Sequence, residues 1–116
     1  GIAVTPDGKR VFVANHSSDS ISVLQTPANA VLDTIATGKG PISLAVSPDG
    51  ERLFVTNKSD DVDSIEVIDT FTHARSTLVS GVLGLRSVAV GPSSSWLYAT
   101  NETGSNDLRF IDLVEG

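Results

Sequence analysis

The sequence predicts an all-β fold built of repeated four-stranded antiparallel sheets, and three observations carry that prediction. One block returns twice. Ile2-Ala3-Val4-Thr5-Pro6-Asp7-Gly8-Lys9-Arg10-Val11-Phe12-Val13-Ala14-Asn15 reappears 42 residues on as Leu44-Ala45-Val46-Ser47-Pro48-Asp49-Gly50-Glu51-Arg52-Leu53-Phe54-Val55-Thr56-Asn57. After 44 more residues it returns altered, as Val88-Ala89-Val90-Gly91-Pro92 through Leu97-Tyr98-Ala99-Thr100-Asn101. Self-similarity at such a period marks a repeat architecture. The repeated pieces are short, rich in Val, Ile, Leu, Phe and Thr, and bounded by Gly, Pro, Asn, Asp or Ser, which is the signature of strands. The links between them are only a few residues long, so sequential strands must run antiparallel.

Taken in order, each unit opens with a short strand such as Ile2-Ala3-Val4 and turns at Thr5-Pro6-Asp7-Gly8-Lys9, or at Ser47-Pro48-Asp49-Gly50-Glu51 in the second unit. Pro6 and Pro48 preset φ, Asp7 and Asp49 can bond the backbone ahead of them, and Gly8 and Gly50 take the positive φ that ends the turn. A second strand follows (Val11–Ala14) and a loop from His16 to Asp19. The third strand begins Asp19-Ser20-Ile21-Ser22-Val23-Leu24 and recurs as Asp63-Ser64-Ile65-Glu66-Val67-Ile68 and as Asp107-Leu108-Arg109-Phe110-Ile111-Asp112. A link over Thr26-Pro27-Ala28-Asn29 leads to a fourth strand from Ala30, matched from Ala74, and Thr37-Gly38-Lys39-Gly40-Pro41 joins one unit to the next. Each unit is a four-stranded meander. In the third, Pro92-Ser93-Ser94-Ser95-Trp96 replaces the Pro-Asp-Gly turn.

The distribution of apolar residues chooses among all-β architectures. Ile2-Ala3-Val4 and Val11-Phe12-Val13-Ala14 are apolar on both faces, which predicts sheets covered on both sides. The third strand alternates, and the fourth mixes Asp33 and Thr34 with Val31, Leu32 and Ile35, so polarity rises along each unit. Sheets stacked on copies of themselves, driest at the first strand and wettest at the last, form the blades of a β-propeller with the first strand nearest the axis. A two-sheet sandwich would leave one face of every strand wet and ranks second. The expected organisation is a partial β-propeller over residues 1–116: blade 1 at 1–37, blade 2 at 38–81 and an incomplete blade 3 at 82–116. That is about two and a half blades, whereas propellers close with about four to eight. The remaining blades are expected from the same polypeptide or, failing that, from self-assembly.

Composition bounds the partners. The 116 residues include 8 basic and 14 acidic side chains, a formal net charge of −6, no Cys and no Met. Such a charge offers no basic stripe for nucleic acid or anionic lipid. Without Cys, disulfides, thiol nucleophiles and Cys-ligated metals are excluded. No apolar run approaches the roughly 20 residues of a membrane helix.

The strings AVTPDGKRVFVAN and AVSPDGERLFVTN, followed by DSISVL and DSIEVID, resemble the YVTN-type β-propeller repeat of bacterial and archaeal surface and periplasmic proteins. The resemblance covers essentially the whole chain. It implies an extracytoplasmic address, periplasmic, secreted or at the cell surface, and a scaffold that binds protein or glycan.

Candidate sites stand against structural readings. Asn15, Asn57 and Asn101 close the second strand of every unit and each opens an N-x-[ST] sequon, yet an Asn at a strand end commonly bonds its own turn, and the structural role takes precedence. Loops alternate between the two ends of a blade, which places His16, Lys39 and Lys58 on one loop face with Asn15, Asn57 and Asn101; these six are the candidate ligand-binding residues, with Arg86 nearby in the repeat scheme. His73 falls at the opposite end. Asp60, Asp61 and Asp63 are a weak cluster for a hard cation, since neither the Gly nor the closing Glu of a helix-loop-helix calcium site follows them. No G-x-S-x-G elbow or complete phosphate loop is present, and no cofactor is expected. Trp96 and Tyr98 are expected to pack between blades. The leading functional expectation is a non-catalytic binding or structural module. The alternative is part of a propeller enzyme, a lactonase-like hydrolase or a quinone- or haem-linked dehydrogenase subunit, with its active site largely in other blades.

Overall fold

A computed structural model describes residues 1–59, 63–82, 84–93, 95–101 and 108–112. The first sheet contains β1 (Ile2–Val4), β2 (Arg10–Asn15), β3 (Ser20–Gln25) and β4 (Ala30–Ala36). The second contains β5 (Pro41–Val46), β6 (Arg52–Asn57), β7 (Asp63–Asp69) and β8 (Arg75–Val82). The third contains β9 (Leu85–Val90), β10 (Trp96–Asn101) and β11 (Leu108–Asp112). Every pairing is antiparallel between sequential strands, and one turn of 3₁₀ helix at His16–Ser18 is the only helical segment among the described residues.

The repeat in the sequence is a repeat in register. Phe12 lies between Ala3 and Val23, Phe54 between Ala45 and Val67, and Tyr98 between Ala89 and Phe110. A large ring on the second strand therefore sits beside an alanine on the first; Phe12 and Phe54 pack between blades, whereas Tyr98 is half-buried and in neither apolar layer. Consecutive sheets approach at their inner edges: β5 packs alongside β1 and β2, and β9 alongside β5 and β6. The sheets splay like blades from a hub, and the chain is part of a β-propeller.

Two apolar layers hold the blades together. The first joins Phe12, Ile21, Val23 and Ile35 to Leu44, Leu53, Val55 and Ile68; the second joins Phe54 and Ile65 to Leu85, Val88, Leu97 and Ala99. Along β6, Leu53, Phe54 and Val55 are all fully buried, with alternate residues facing the first and third sheets. Three consecutive buried residues need a sheet covered on both faces; the sequence predicts this for the first two strands of the first unit, but in β2 only Phe12 is buried and its neighbours are half-buried. In β1 the same pattern has a different outcome: Ile2 and Val4 are 67% and 55% exposed, because they point away from the second sheet while Ala3 packs toward it. Trp96 likewise stays 41% exposed instead of packing between blades. Alternation turns Leu97 and Ala99 toward the second sheet and Trp96 away from it. The fourth strand is wettest, with Ile35 the one buried side chain of β4. No helix among the described residues is long and apolar enough to cross a membrane.

Candidate functional site

The Pro-Asp-Gly turns form one end of the blades. The Gly8 N–H donates to Thr5 O at 2.8 Å and the Gly50 N–H to Ser47 O at 2.8 Å, with the glycines at φ 72° and 75°. Asp7 accepts the Thr5 hydroxyl at 2.6 Å and the Lys9 N–H at 2.9 Å; Asp49 accepts the Ser47 hydroxyl and the Glu51 N–H. In both cases the hydroxyl, and next the backbone N–H, hold the carboxyl below its ordinary pKa. The blade-2 turn between β7 and β8 works similarly, with the N–H groups of Thr72 and Phe71 lowering Asp69. Between these turns lies a cleft of about 160 Å³ lined by Asp7, Arg10, Asp49, Thr70 and Phe71 among others. The Arg10 guanidinium donates to Thr70 O at 2.6 Å and stacks 5.2 Å from the Phe71 ring centre, so blade 1 is tied to blade 2 here. His73 lies beyond, its Nδ1 3.0 Å from Asp33 Oδ2 of β4. It bridges outer strands and stands away from the loop face.

At the other end, acidic side chains at the start of the third strand in the first two units fasten the next blade. Asp19, in the left-handed region at φ 52°, accepts the Gly40 N–H at 2.8 Å. Asp63 does more: Oδ2 accepts the N–H groups of Gly84 at 2.7 Å and Leu85 at 3.0 Å, while Oδ1 accepts that of Ser59 at 3.2 Å, and the residue is 2% exposed. Its oxygens are thus engaged by backbone donors. Asp60 and Asp61, the other candidates of that cluster, lie outside the described residues. No group of three or more His, Asp or Glu disposed around a metal occurs among the described residues.

The asparagines turn into their sheets. Asn15 donates to Ser22 Oγ at 2.8 Å and Ser20 Oγ at 3.3 Å on the paired strand. Asn57, 3% exposed, donates to Glu66 Oε1 at 2.6 Å. The side chain of Asn101 lies outside the described residues. Glu66 is a residue that sequence reasoning missed. It is 5% exposed, accepts the Gly38 N–H at 2.6 Å, and pairs with Arg75 Nε at 3.2 Å. Gly38 fits closely there, since a Cβ would lie 3.0 Å from Asn57 Nδ2 and 3.2 Å from Glu66 Oε1. An acidic residue at the position where the first unit has Ser22 was the one available signal.

Three predicted loop-face residues come together. His16, Lys39 and Lys58, with Ser17, Asp19, Gly40 and Ser59, line a cavity of about 300 Å³ at the junction of blades 1 and 2. Asn15, Asn57 and Arg86 are not in its lining. The backbone beneath it is closely fitted: the Lys58 N–H donates to Gly40 O at 2.8 Å, and a Cβ on Gly40, whose φ is 69°, would fall 2.2 Å from Lys58 O. Two lysines, a histidine and two serines thus line one space. Among the described residues, one carboxylate, that of Asp19, shares the wall.

Comparison with known proteins adds a family. Residues 1–82 match the family described as lactonase, 7-bladed β-propeller. The chain is 28% identical over 118 aligned positions to a seven-bladed β-propeller protein, Rv1057, of Mycobacterium tuberculosis, covering all of this chain and 30% of that one. Among solved structures it is similar to a chain of the nidogen/laminin complex (22% identity, TM-score 0.83, 98% of this chain and 44% of that one). The RRP9 WD40 repeats (19%, TM-score 0.77, 98% and 35%) and Kuenenia stuttgartiensis hydrazine synthase (24%, TM-score 0.57, 98% and 46%) are similar as well. These structural likenesses show the propeller fold. The chain spans about a third of the curated relative it matches.

Proposed function

Since the chain belongs to the lactonase family of seven-bladed β-propellers, we propose that it forms a rigid, non-catalytic part of such a ring, presenting its loop face to a protein or small ligand. The observation that carries this reading is the use made of the recurring polar residues. Asp19, Asp63, Asn15 and Asn57, which a search for chemistry would single out, are spent on holding strands and blades together. The unit-specific residues His16, Lys39 and Lys58 instead line an open cavity. Rigid frame and variable loops together are how binding scaffolds are built. The remaining blades come from the same polypeptide in this reading. Its YVTN-like repeats support an extracytoplasmic address, and the propeller seen in a nidogen/laminin complex is a precedent for a protein partner.

The family match favours a second reading, a lactone hydrolase whose reacting groups lie mostly in other blades. Incubating the whole protein with a sugar lactone under pH-stat titration separates the two. Acid release at the uncatalysed rate is expected. Saturable release that rises with protein concentration would overturn the scaffold reading.

A further inference from the structure

We propose that the cavity between blades 1 and 2 is a binding site for a small oxyanion, a carboxylate or a phosphate group, held by Lys39 and Lys58 with His16, Ser17 and Ser59. The proposal rests on the scaffold reading and names the ligand class for its loop face. The chain as a whole carries a formal charge of −6, yet two of its 8 basic residues and one of its 2 histidines converge on one cavity. They come from three separate segments: the 3₁₀ turn after β2, the link between β4 and β5, and the loop after β6. Among the described lining residues, the carboxylate of Asp19 is directed to the Gly40 N–H.

The backbone makes the convergence obligatory. Gly40 and Lys58 touch main chain to main chain, with a 2.8 Å hydrogen bond and no room for a Cβ, so Lys39 and Lys58 are placed side by side. Asp19 secures the same link from the other side through the Gly40 N–H, and its own carbonyl accepts the Thr37 N–H at 3.0 Å. A backbone frame fixed before a ligand arrives limits the freedom lost on binding, and hydrogen bonds from an ammonium to an oxyanion are among the stronger ones. The size, about 300 Å³, sits at the small end of ligand pockets.

The cations vary from unit to unit while the frame residues recur. Asp19 and Gly40 recur as Asp63 and Gly84, but the residue before the glycine changes from Lys39 to Leu83, and the one after the strand-ending Asn runs His16, Lys58, Glu102. The fold is therefore served by Asp and Gly, while the donors belong to this one junction.

The test titrates the whole protein with inorganic phosphate, with succinate and with uncharged succinamide, following amide resonances of His16, Gly40 and Lys58 by NMR. Saturable shifts with phosphate, succinate or both, weakened by added NaCl, are expected. Lys39→Gln, an exposed substitution, should weaken binding about tenfold while the remaining amide spectrum stays in place. A response to phosphate alone or to succinate alone assigns the source of the oxyanion. A flat titration, an equal response to succinamide, or affinity unchanged by Lys39→Gln would overturn the site. Those failures leave the scaffold reading standing; lactone turnover, measured separately, would overturn that reading while leaving the anion titration as it is.

Discussion

Replacing Asp63 by Ala tests how one blade is fastened to the next. The wild-type carboxylate accepts three backbone N–H groups, from Gly84 at 2.7 Å, Leu85 at 3.0 Å and Ser59 at 3.2 Å, in a place 2% exposed. A hydrogen bond to a charged group contributes about 1.5–3 kcal/mol, and donors left unpaired in a buried site add their own desolvation cost. Water entering the space vacated by the side chain recovers part of this, leaving a net loss of about 3–5 kcal/mol. Asp19→Ala removes one such acceptor, for the Gly40 N–H, and should cost about 2 kcal/mol. Repeat arrays need not unfold as a single step, so a local readout is preferable. Native-state hydrogen exchange at Gly84 and Leu85 should accelerate about a hundredfold or more in Asp63→Ala, since each 1.4 kcal/mol is tenfold. Unchanged exchange at those amides, or a loss no greater than that of Asp19→Ala, would refute the fastening role.

Other outcomes follow from the same contacts. Gly8→Ala meets nothing within 4 Å and should cost only the positive-φ penalty of about 1 kcal/mol, whereas Gly40→Ala adds a clash with Lys58 O and should cost several times more by urea denaturation. Phe54→Ala empties the layer shared by the second and third sheets and should cost about 3–5 kcal/mol. Asp7, Asp49 and Asp69 have folded-state pKa values below the ordinary value, so their contribution is present above about pH 4 and is lost as pH falls through the lowered values. Urea midpoints should therefore drop as pH falls below about 4, and Asp49→Asn should flatten part of that slope. Expressed in a glycosylating host, Asn57 should stay unmodified by mass spectrometry, because its amide is buried against Glu66.

What the sequence made legible was whatever depends on neighbours along the chain. The Pro-Asp-Gly turns, the antiparallel meander and the equivalence of Phe12, Phe54 and Tyr98 follow from local dihedral preferences and periodicity, and the structure reproduces them in register. The grouping of His16, Lys39 and Lys58 was also legible, since loops of a meander must alternate between two ends. Partnerships that cross from blade to blade were hidden. Asp63 reads as one acid in a loop cluster until the Gly84 and Leu85 amides arrive from the following strand. Glu66 reads as the wet half of an alternating strand, yet the link at Gly38 and the side chain of Arg75 close over it. The orientation of Trp96 was hidden for a related reason: strand alternation is visible in sequence, but not which face has a neighbour.

The most direct test is the pattern of side-chain proximities around β6, read as NOEs between methyl and aromatic protons in the whole protein. Leu53 and Val55 should contact the Phe12 and Ile21 layer, while Phe54, between them in sequence, contacts Leu85 and Leu97. Contacts confined to one face of β6, with Phe54 or its two neighbours meeting only water, would contradict the stacking of blades on which every functional statement here depends.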